Sequence, residues 1–301
     1  MNLYPKIMIM SLLLTVSSIT CVAHEEHSSG ADHTLTQADA IARKDAVSDV
    51  IYKIELDMTD LDSGKYSGDV KIQFNLVDNF DPESVFLDFS GGEIKSIHMG
   101  GQKIQFDYDG SKIRFAQPGR LKPGTNSVEI EFSQEFQPTG DGLHLFKDPA
   151  DGSRVFYTNL EPYDFSRVAP GFDQPDLKAR FGLKLKLPRE FESFSNHNPN
   201  QVIDQGSSRL WIFEDGLKSQ PIPTYIFAFG GGDKLRVFTD TYKEPSTGRA
   251  IPLQIIIRNS LAKFLVKDDT YKKLFKGQKL FLGFFQKFFG YDYPFSKHAE
   301  F

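Results

Sequence analysis

Apolar and polar residues alternate along much of the chain up to about residue 260, with the period of two that is typical of half-buried β-strands. In residues 49–58 the apolar side chains occupy every second position, and residues 68–77 repeat this pattern. Further short runs continue to residue 136, separated by glycine, proline and aspartate. Between two of them, Asp109 and Gly110 indicate a hairpin, because a type I′ turn requires positive φ angles. The pattern predicts a mainly β domain, an antiparallel sandwich or saddle-shaped pair of sheets.

Strand patterns resume at residue 181 and continue to residue 258, after which apolar residues recur at helical spacing. Gly277 is predicted to separate two helices and Gly290 to end the second. That second helix carries an apolar stripe formed by Leu280, Phe281, Phe284, Phe285 and Phe288. We therefore predict a β domain at residues 48–258 and the short helical start of a second domain at residues 259–301. About 40 residues are too few to bury a core alone, so this second part is expected to be truncated.

The first residues have the pattern of an export signal. Lys6 supplies a positive charge, residues 7–19 are apolar, and Cys21-Val22-Ala23 places small residues at the positions that a signal peptidase reads. The apolar run is shorter than the ~20 residues of a membrane span. We predict a signal peptide at residues 1–23 and a periplasmic or secreted protein, with a lipoprotein anchored through Cys21 as the alternative. The polar residues 24–47 are expected to be a flexible linker.

Composition and charge restrict the classes of partner and the kinds of site that we expect for this chain. The 301-residue chain carries a net charge of −5, which gives no electrostatic reason to expect nucleic acid or an anionic membrane. Its single cysteine lies in the signal region, so no intrachain disulfide is expected. The seven histidines are scattered and no His-x-x-x-His pair occurs, so we predict no metal site in this chain.

Residues 157–181, with the sequence YTNLEPYDFSRVAPGFDQPDLKARF, place many charges between prolines and aromatic residues. Such a segment is either a solvated loop or a rigid loop held by internal ion pairs. On composition alone the solvated loop is the simpler interpretation.

This segment resembles the aminopeptidase N family of zinc metallopeptidases, whose first domain carries T-Q-x-E-P-x-x-A-R-R-x-F-P-C-F-D-x-P-x-x-K-A-x-F. The chain departs from it at Asn159, Ser166, Ala169 and Gly171. Residues 223–229 resemble the family's P-x-S-T-Y-L-x-A-F strand, and residues 288–295 its F-G-x-x-Y-P-[FL] element. The resemblance runs from about residue 48 to the last residue. The matching positions are Thr158, Glu161, Pro162, Arg167, Pro170, Phe172, Asp173, Pro175, Lys178, Ala179 and Phe181.

The resemblance implies a saddle-like β domain followed by a thermolysin-like catalytic domain. It also implies that Glu161 reaches the active-site cleft and helps to bind the free α-amino group of a peptide substrate. A carboxylate beside an ammonium gives charge-assisted hydrogen bonds, which makes this role chemically sound. We interpret Arg167 and Asp173 as ions that hold the loop together rather than as substrate contacts.

The family's G-x-M-E-N and H-E-x-x-H motifs do not occur in this sequence. Zinc is therefore expected in the full-length family but not in this chain, which should be inactive alone. Its expected partners are the peptide N-terminus and a missing catalytic domain or a separate catalytic chain. A non-catalytic exported β-sandwich binding module is the alternative. The phenylalanine-rich stripe favours truncation, because an independent module has no reason to expose such a surface.

Overall fold

The computed structural model describes residues 35–301. Three α-helices lie in this part of the chain: α1 (Gln37–Ala46), α2 (Asn259–Val266) and α3 (Thr270–Phe289). The strands are β1 (Val47–Asp57), β2 (Lys65–Leu76), β3 (Phe86–Asp88), β4 (Glu93–Met99), β5 (Gln102–Lys103), β6 (Phe106–Tyr108), β7 (Lys112–Phe115), β8 (Gly124–Glu135), β9 (Gly142–Lys147), β10 (Arg154–Asn159), β11 (Ala179–Pro188), β12 (Glu192–Ser195), β13 (Gln201–Asp204), β14 (Ser208–Phe213), β15 (Phe229–Gly232), β16 (Leu235–Lys243), β17 (Ala250–Arg258) and β18 (His298–Glu300). Short 3₁₀ turns connect several of them, at Leu61–Ser63, Pro82–Ser84, Pro118–Arg120, Phe165–Arg167, Asp215–Lys218, Thr224–Ile226 and Lys267–Asp269.

The largest sheet has eight strands in the order β13-β14-β11-β1-β2-β8-β4-β5. Its long strands follow the alternation in the sequence: every second residue of β1 from Val50 to Leu56 is buried, while the residues between them reach the surface in whole or in part. All its pairs are antiparallel except β1 with β11, where Tyr52 lies opposite Phe181 in a parallel register. The predicted mainly β fold is confirmed, with this one parallel pair in the largest sheet as a departure from the antiparallel expectation.

Two smaller sheets, β12-β15-β10-β9 and β3-β7-β6, contribute to the same hydrophobic core. Aromatic rings fill its centre, and the rings of Phe181 and Phe227 stack with their centroids 4.4 Å apart. Gly171 is required here, because a Cβ at this position would lie 2.6 Å from the Phe165 ring and 2.9 Å from the Tyr52 hydroxyl. The close approach explains locally why this chain has glycine where the family pattern has cysteine.

Helix α1 corrects part of the predicted linker at residues 24–47. Thr36 caps the helix by accepting a hydrogen bond from the backbone N–H of Asp39 at 3.1 Å. Arg43 on this helix is completely buried. The polar composition was misleading because Arg43 lies inside the protein with a carboxylate partner. Residues 1–34, which include the predicted signal peptide and residues 24–34 of the predicted linker, lie outside the described residues.

A second, smaller core contains Tyr242, Ile251, Leu253, Ile255, Phe275 and Leu282. It joins the hairpin of β16 and β17 to α3, and β18 adds to the same sheet in parallel, with His298 opposite Leu253. Residues of the first core therefore all lie before about residue 233, and the β16–β17 hairpin contributes to the second core, whereas the sequence pattern puts the domain boundary at residue 258. The change from strand to helix marked the end of β17 correctly, but a strand belongs to the core on which its side chains pack.

Helix α3 continues through Gly277, so the predicted helix break at this residue is wrong. The break lies at Asp268 and Asp269, whose φ angles are 54° and 53°. Gly290 ends the helix in the left-handed conformation, as predicted. No helix in residues 35–301 combines the length and apolar character that crossing a membrane would require.

One side of α3 forms what we call the phenylalanine face: Phe281, Phe284, Phe285, Phe288 and Phe289. These side chains are between 48% and 69% exposed. Their rings stack along the helix, and the ring centroids of Phe284 and Phe288 are 5.6 Å apart. Soluble proteins rarely expose contiguous apolar patches of this kind without a binding role.

Candidate functional site

The segment that carries Glu161 connects β10 to β11. Strand β10 lies inside its sheet, between β15 and β9. Thr158, near the end of the strand, accepts a hydrogen bond from the backbone N–H of Phe229 at 3.0 Å, which fixes its position. Leu160 is buried, and Glu161 follows it as an exposed residue. The strand end thus holds the backbone in place and presents the carboxylate at the surface.

Beyond Glu161 the connection is anchored at several points. The Tyr66 hydroxyl donates to the carbonyl of Val168 at 3.0 Å. The Tyr52 hydroxyl accepts from the backbone N–H of Phe172 at 2.8 Å. Both tyrosines are almost completely buried. These bonds distinguish the segment from a solvated loop, which leaves its backbone groups to water.

Asp173 is one of the buried anchors, with 5% of its surface exposed. Its carboxylate accepts hydrogen bonds from the Ser166 N–H at 2.9 Å and the Thr224 hydroxyl at 2.7 Å. Burial raises the pKa of Asp173 to about 6, although these two hydrogen bonds act in the opposite direction. The residue lies inside the protein, in a supporting position.

Arg43 binds the segment from the opposite side. Its guanidinium donates to the Asp88 carboxylate at 2.8 Å and to the side-chain oxygen of Gln174 at 2.9 Å. The same Asp88 oxygen accepts the backbone N–H of Asp173 at 2.9 Å. Burial raises the pKa of Asp88, and the charge of Arg43 opposes that increase. Helix α1 is thereby linked to the segment through a buried ion pair.

Sequence reasoning missed Arg43 and Gln174. They are 131 residues apart in the chain, and Arg43 lies before the first residue of the family resemblance. The only local signal was the basic residue in a weakly amphipathic stretch, which does not distinguish a buried arginine from an exposed one. Their partnership is visible only once the chain is folded.

Arg167 takes part in an ion pair within the segment, with its Nε 2.6 Å from the Asp164 carboxylate. It does not pair with Asp173, so the two residues that the sequence suggested as loop ions act through different partners. Burial raises the pKa of Asp164, while the charge of Arg167 opposes that increase. Asp176 accepts a hydrogen bond from Gln174 at 2.8 Å.

The four acids of the segment differ in whether their carboxylates have a bonded partner in the described residues. Asp164, Asp173 and Asp176 each have a bonded partner. Glu161 is exposed, and its carboxylate has no hydrogen bond or ion pair within residues 35–301. A carboxylate at the end of a rigid strand, with its lone pairs free of protein donors, can accept hydrogen bonds from a cationic ligand.

Zinc, the metal that the family resemblance implies, needs several protein ligands close together. Within the described part of the chain, no three histidine, cysteine, aspartate or glutamate side chains lie together in a way that could hold a metal ion. His144 is instead 2.7 Å from the carbonyl of Gln137, and His197 is 3.1 Å from the Ser296 hydroxyl. These residues do not fit a zinc ion, and we assign no chemical step to zinc in this chain.

Comparison with known proteins gives a consistent result. Residues 48–226 match the family model of the peptidase M1 N-terminal domain. The aminopeptidase N of Streptomyces lividans is 31% identical over 267 residues, which cover 88% of this chain and 29% of that protein. The probable aminopeptidase 1 of Sulfurisphaera tokodaii is 27% identical over 194 residues, which cover 64% of this chain and 22% of that protein. The chain therefore spans less than a third of either relative.

A solved structure shares the fold. The M1 zinc metallopeptidase from Deinococcus radiodurans superposes with a TM-score of 0.65 at 16% sequence identity, covering 84% of this chain and 56% of that one. At this identity the likeness concerns the fold alone.

Proposed function

The chain belongs to the M1 peptidase family, and from that premise we propose that it anchors the free α-amino group of peptide substrates in an exported zinc aminopeptidase. Glu161 is the residue to which we assign this role. The observation that carries the proposal is that Glu161 alone, among the four acids of residues 157–181, lacks a partner within the described residues. A residue retained only for loop stability would be expected to have one.

The chemistry of the proposed contact is simple. A substrate with a free N-terminus carries an ammonium group, which donates charge-assisted hydrogen bonds to a carboxylate. A peptide with a blocked N-terminus offers an amide instead, so the interaction selects for free N-termini. The anchored backbone around Glu161 supports this role, because the backbone is already ordered and binding has to fix only the rotamer of the side chain.

Peptide hydrolysis itself is assigned to a catalytic part that these 301 residues do not supply. In our proposal it is a further domain or a separate chain, and it provides the zinc site. The phenylalanine face supports this view, because five exposed aromatic rings on one helix are suited to packing on another folded surface. We expect residues 1–301 alone to show no peptidase activity.

Export is a further part of the proposal and depends only on the pattern of the first residues. If the signal peptide is cleaved after Ala23, N-terminal sequencing of the secreted or periplasmic protein will begin at His24. If Cys21 is instead the first residue and carries lipid, the protein will fractionate with membranes and will not be released by salt.

The decisive experiment measures kcat/KM of the protein assembled with its catalytic part. Glu161→Gln keeps the shape of the side chain but removes its charge. Because a hydrogen bond to a charged group contributes roughly 1.5–3 kcal/mol, we expect kcat/KM for an aminoacyl anilide to fall about 10- to 150-fold. Arg167→Lys, which retains a charge opposite Asp164, should stay within about threefold of wild type.

Two outcomes would contradict the proposal. Unchanged activity of Glu161→Gln would remove Glu161 from the amine site. Tight binding of peptides by the 301-residue chain, with no activity gained from any catalytic partner, would favour the non-catalytic binding module. A blocked substrate, the N-acetylated anilide, serves as the reference and should be insensitive to the substitution.

A further inference from the structure

A cavity with an unusual set of polar groups lies far along the chain from Glu161. It has a volume of about 110 Å³ and is bordered by β12, β14, the hairpin of β16 and β17, and the segment after α3. This is well above the roughly 10–15 Å³ that a single water molecule needs. The exposed residues Asn198 and Pro199 also border it, so solutes can reach it from the surface. Its polar lining includes Ser193, Trp211, Gln254 and Lys297.

Lys297 is the first unusual feature. Only 5% of its surface is exposed, and its ammonium has a single hydrogen bond, of 3.4 Å, to the side-chain oxygen of Gln254. No carboxylate lies within ion-pair distance of it among residues 35–301. Burial accordingly lowers the pKa of Lys297 to about 8, so the group is still mainly protonated at pH 7. Buried charges are normally paired, because an unpaired one costs several kcal/mol of solvation energy.

Trp211 is the second unusual feature of the cavity. It is 6% exposed, and its indole N–H has no acceptor among the described residues. Buried indole N–H groups usually find a partner. Glu192, which also lines the cavity, forms its ion pair with Arg209 at 3.1 Å and not with Lys297.

The cavity therefore combines a buried ammonium that has no carboxylate partner with a buried indole N–H that has no acceptor, both among the described residues. We propose that it binds a small monovalent anion of the size of chloride or formate. Lys297 provides the charge and the Trp211 N–H provides a directional bond. A volume of about 110 Å³ suits such a small ion, and the charge of Lys297 disfavours metal cations. This inference does not depend on the role of Glu161.

Occupation of the cavity has a structural consequence. Trp211 belongs to the eight-stranded sheet, whereas Lys297 follows α3 and lies next to β18, which extends the sheet of the second core. An anion held by both side chains links the two cores, and it should stabilise the folded protein, because it binds the native state alone.

The experiment follows the fluorescence of Trp211, the single tryptophan of the chain, in the 301-residue protein. The starting salt is sodium gluconate, whose anion is much larger than chloride or formate. It is replaced stepwise by sodium chloride or sodium formate at constant sodium concentration. We expect a saturable change in emission together with a rise in the unfolding temperature. Lys297→Met should raise the half-saturating concentration about tenfold or more, as expected for the loss of a hydrogen bond to a charged group.

Lys103→Met is the matched control, since it removes an exposed lysine charge from β5 and should respond like wild type. If Lys297→Met does not fold, Trp211→Phe provides the second test, with the unfolding temperature as readout. It retains the ammonium and should show a smaller stabilisation by chloride. A response that is the same for all three anions, or one that Lys297→Met leaves unchanged, would overturn the proposal and leave the cavity to water.

Discussion

Asp173 offers a sharp test of the buried network beneath Glu161. The pKa of its carboxyl group is raised from 3.8 to about 6, chiefly by burial. A raised pKa in the folded state means that folding favours the protonated acid. The stabilising contribution is therefore complete below pH 3.8 and is lost as the pH rises through about 6. A shift of about two pKa units corresponds to roughly 3 kcal/mol of unfolding free energy.

The substitution Asp173→Asn isolates this contribution. The amide cannot ionise, and its single oxygen can accept from either Ser166 or Thr224 but not from both in the present geometry. The variant should therefore lose about 0.5–1.5 kcal/mol relative to the protonated wild type. At neutral pH this loss should be offset, because the variant avoids the cost of a buried charge.

Urea unfolding of both proteins at several pH values measures the effect. We expect the unfolding free energy of wild type minus that of Asp173→Asn to fall by roughly 2–2.5 kcal/mol between pH 4 and pH 7, because a small part of the effect is already lost at pH 4. Taking the difference removes the titration of groups that the substitution does not affect, and Asp88, whose charge also acts on Asp173, is the coupled group that remains. A difference that stays constant or increases with pH would refute the assignment of a raised pKa to Asp173.

Asp109→Asn is the control with the opposite sign. Although some burial acts to raise it, the pKa of Asp109 is lowered by hydrogen bonds from the N–H groups of Lys112 and Ser111 and from Arg114. Its contribution is present above the unfolded pKa of 3.8 and is lost as the pH falls below that value. The difference between wild type and Asp109→Asn should therefore increase from acid to neutral pH.

Three further predictions concern stability. Arg43→Met leaves a buried carboxylate without its partner and should destabilise the protein by about 3–5 kcal/mol in urea unfolding. Gly171→Ala forces a Cβ against two aromatic rings and should lower the free energy of unfolding by about 1–3 kcal/mol. At Gly277, inside a helix, an added Cβ meets nothing within 4 Å, so Gly277→Ala should raise the free energy of unfolding by about 0.5–1 kcal/mol. A chain shortened to residues 35–258 should bind a hydrophobic dye and aggregate, because it uncovers the apolar side of the β16–β17 hairpin. A chain of residues 35–233, which lacks the hairpin, should remain soluble. Equal behaviour of the two would contradict the boundary near residue 233.

The strands were predictable because each long strand has one buried side. Alternation along β1 and β2 reports this burial directly, and the first core uses those positions. Helix α1 was not predictable from the same kind of pattern. Its buried residues are Arg43 and Ala46, and a hydrophobic pattern counts the arginine as exposed. The β16–β17 hairpin shows a third case. Its strands were recognised, but the pattern does not reveal which of two cores they pack on.

The candidate site shows a similar division. Glu161 was found only through the family resemblance, since an exposed glutamate in a polar segment has no distinguishing local pattern. Arg167 and Asp173 were expected to hold the loop. Arg167 forms an ion pair with Asp164, and Asp173 accepts buried hydrogen bonds, while their role in loop stability stays a prediction. Arg43 could not be found because its partners are brought to it only by the fold.

These observations together explain how a charged, proline-rich segment can serve as a rigid support. An exposed loop of this composition would sample many conformations, and ordering it on substrate binding would reduce affinity. Here the bonds to Asp173, Gln174 and Val168 are made inside the protein, so the ordering is achieved during folding. Glu161 can then remain without a protein partner at little cost, because water solvates its exposed carboxylate, and in our proposal the substrate ammonium replaces that water. A free carboxylate on a fixed backbone is the arrangement that selective recognition of an ammonium group requires.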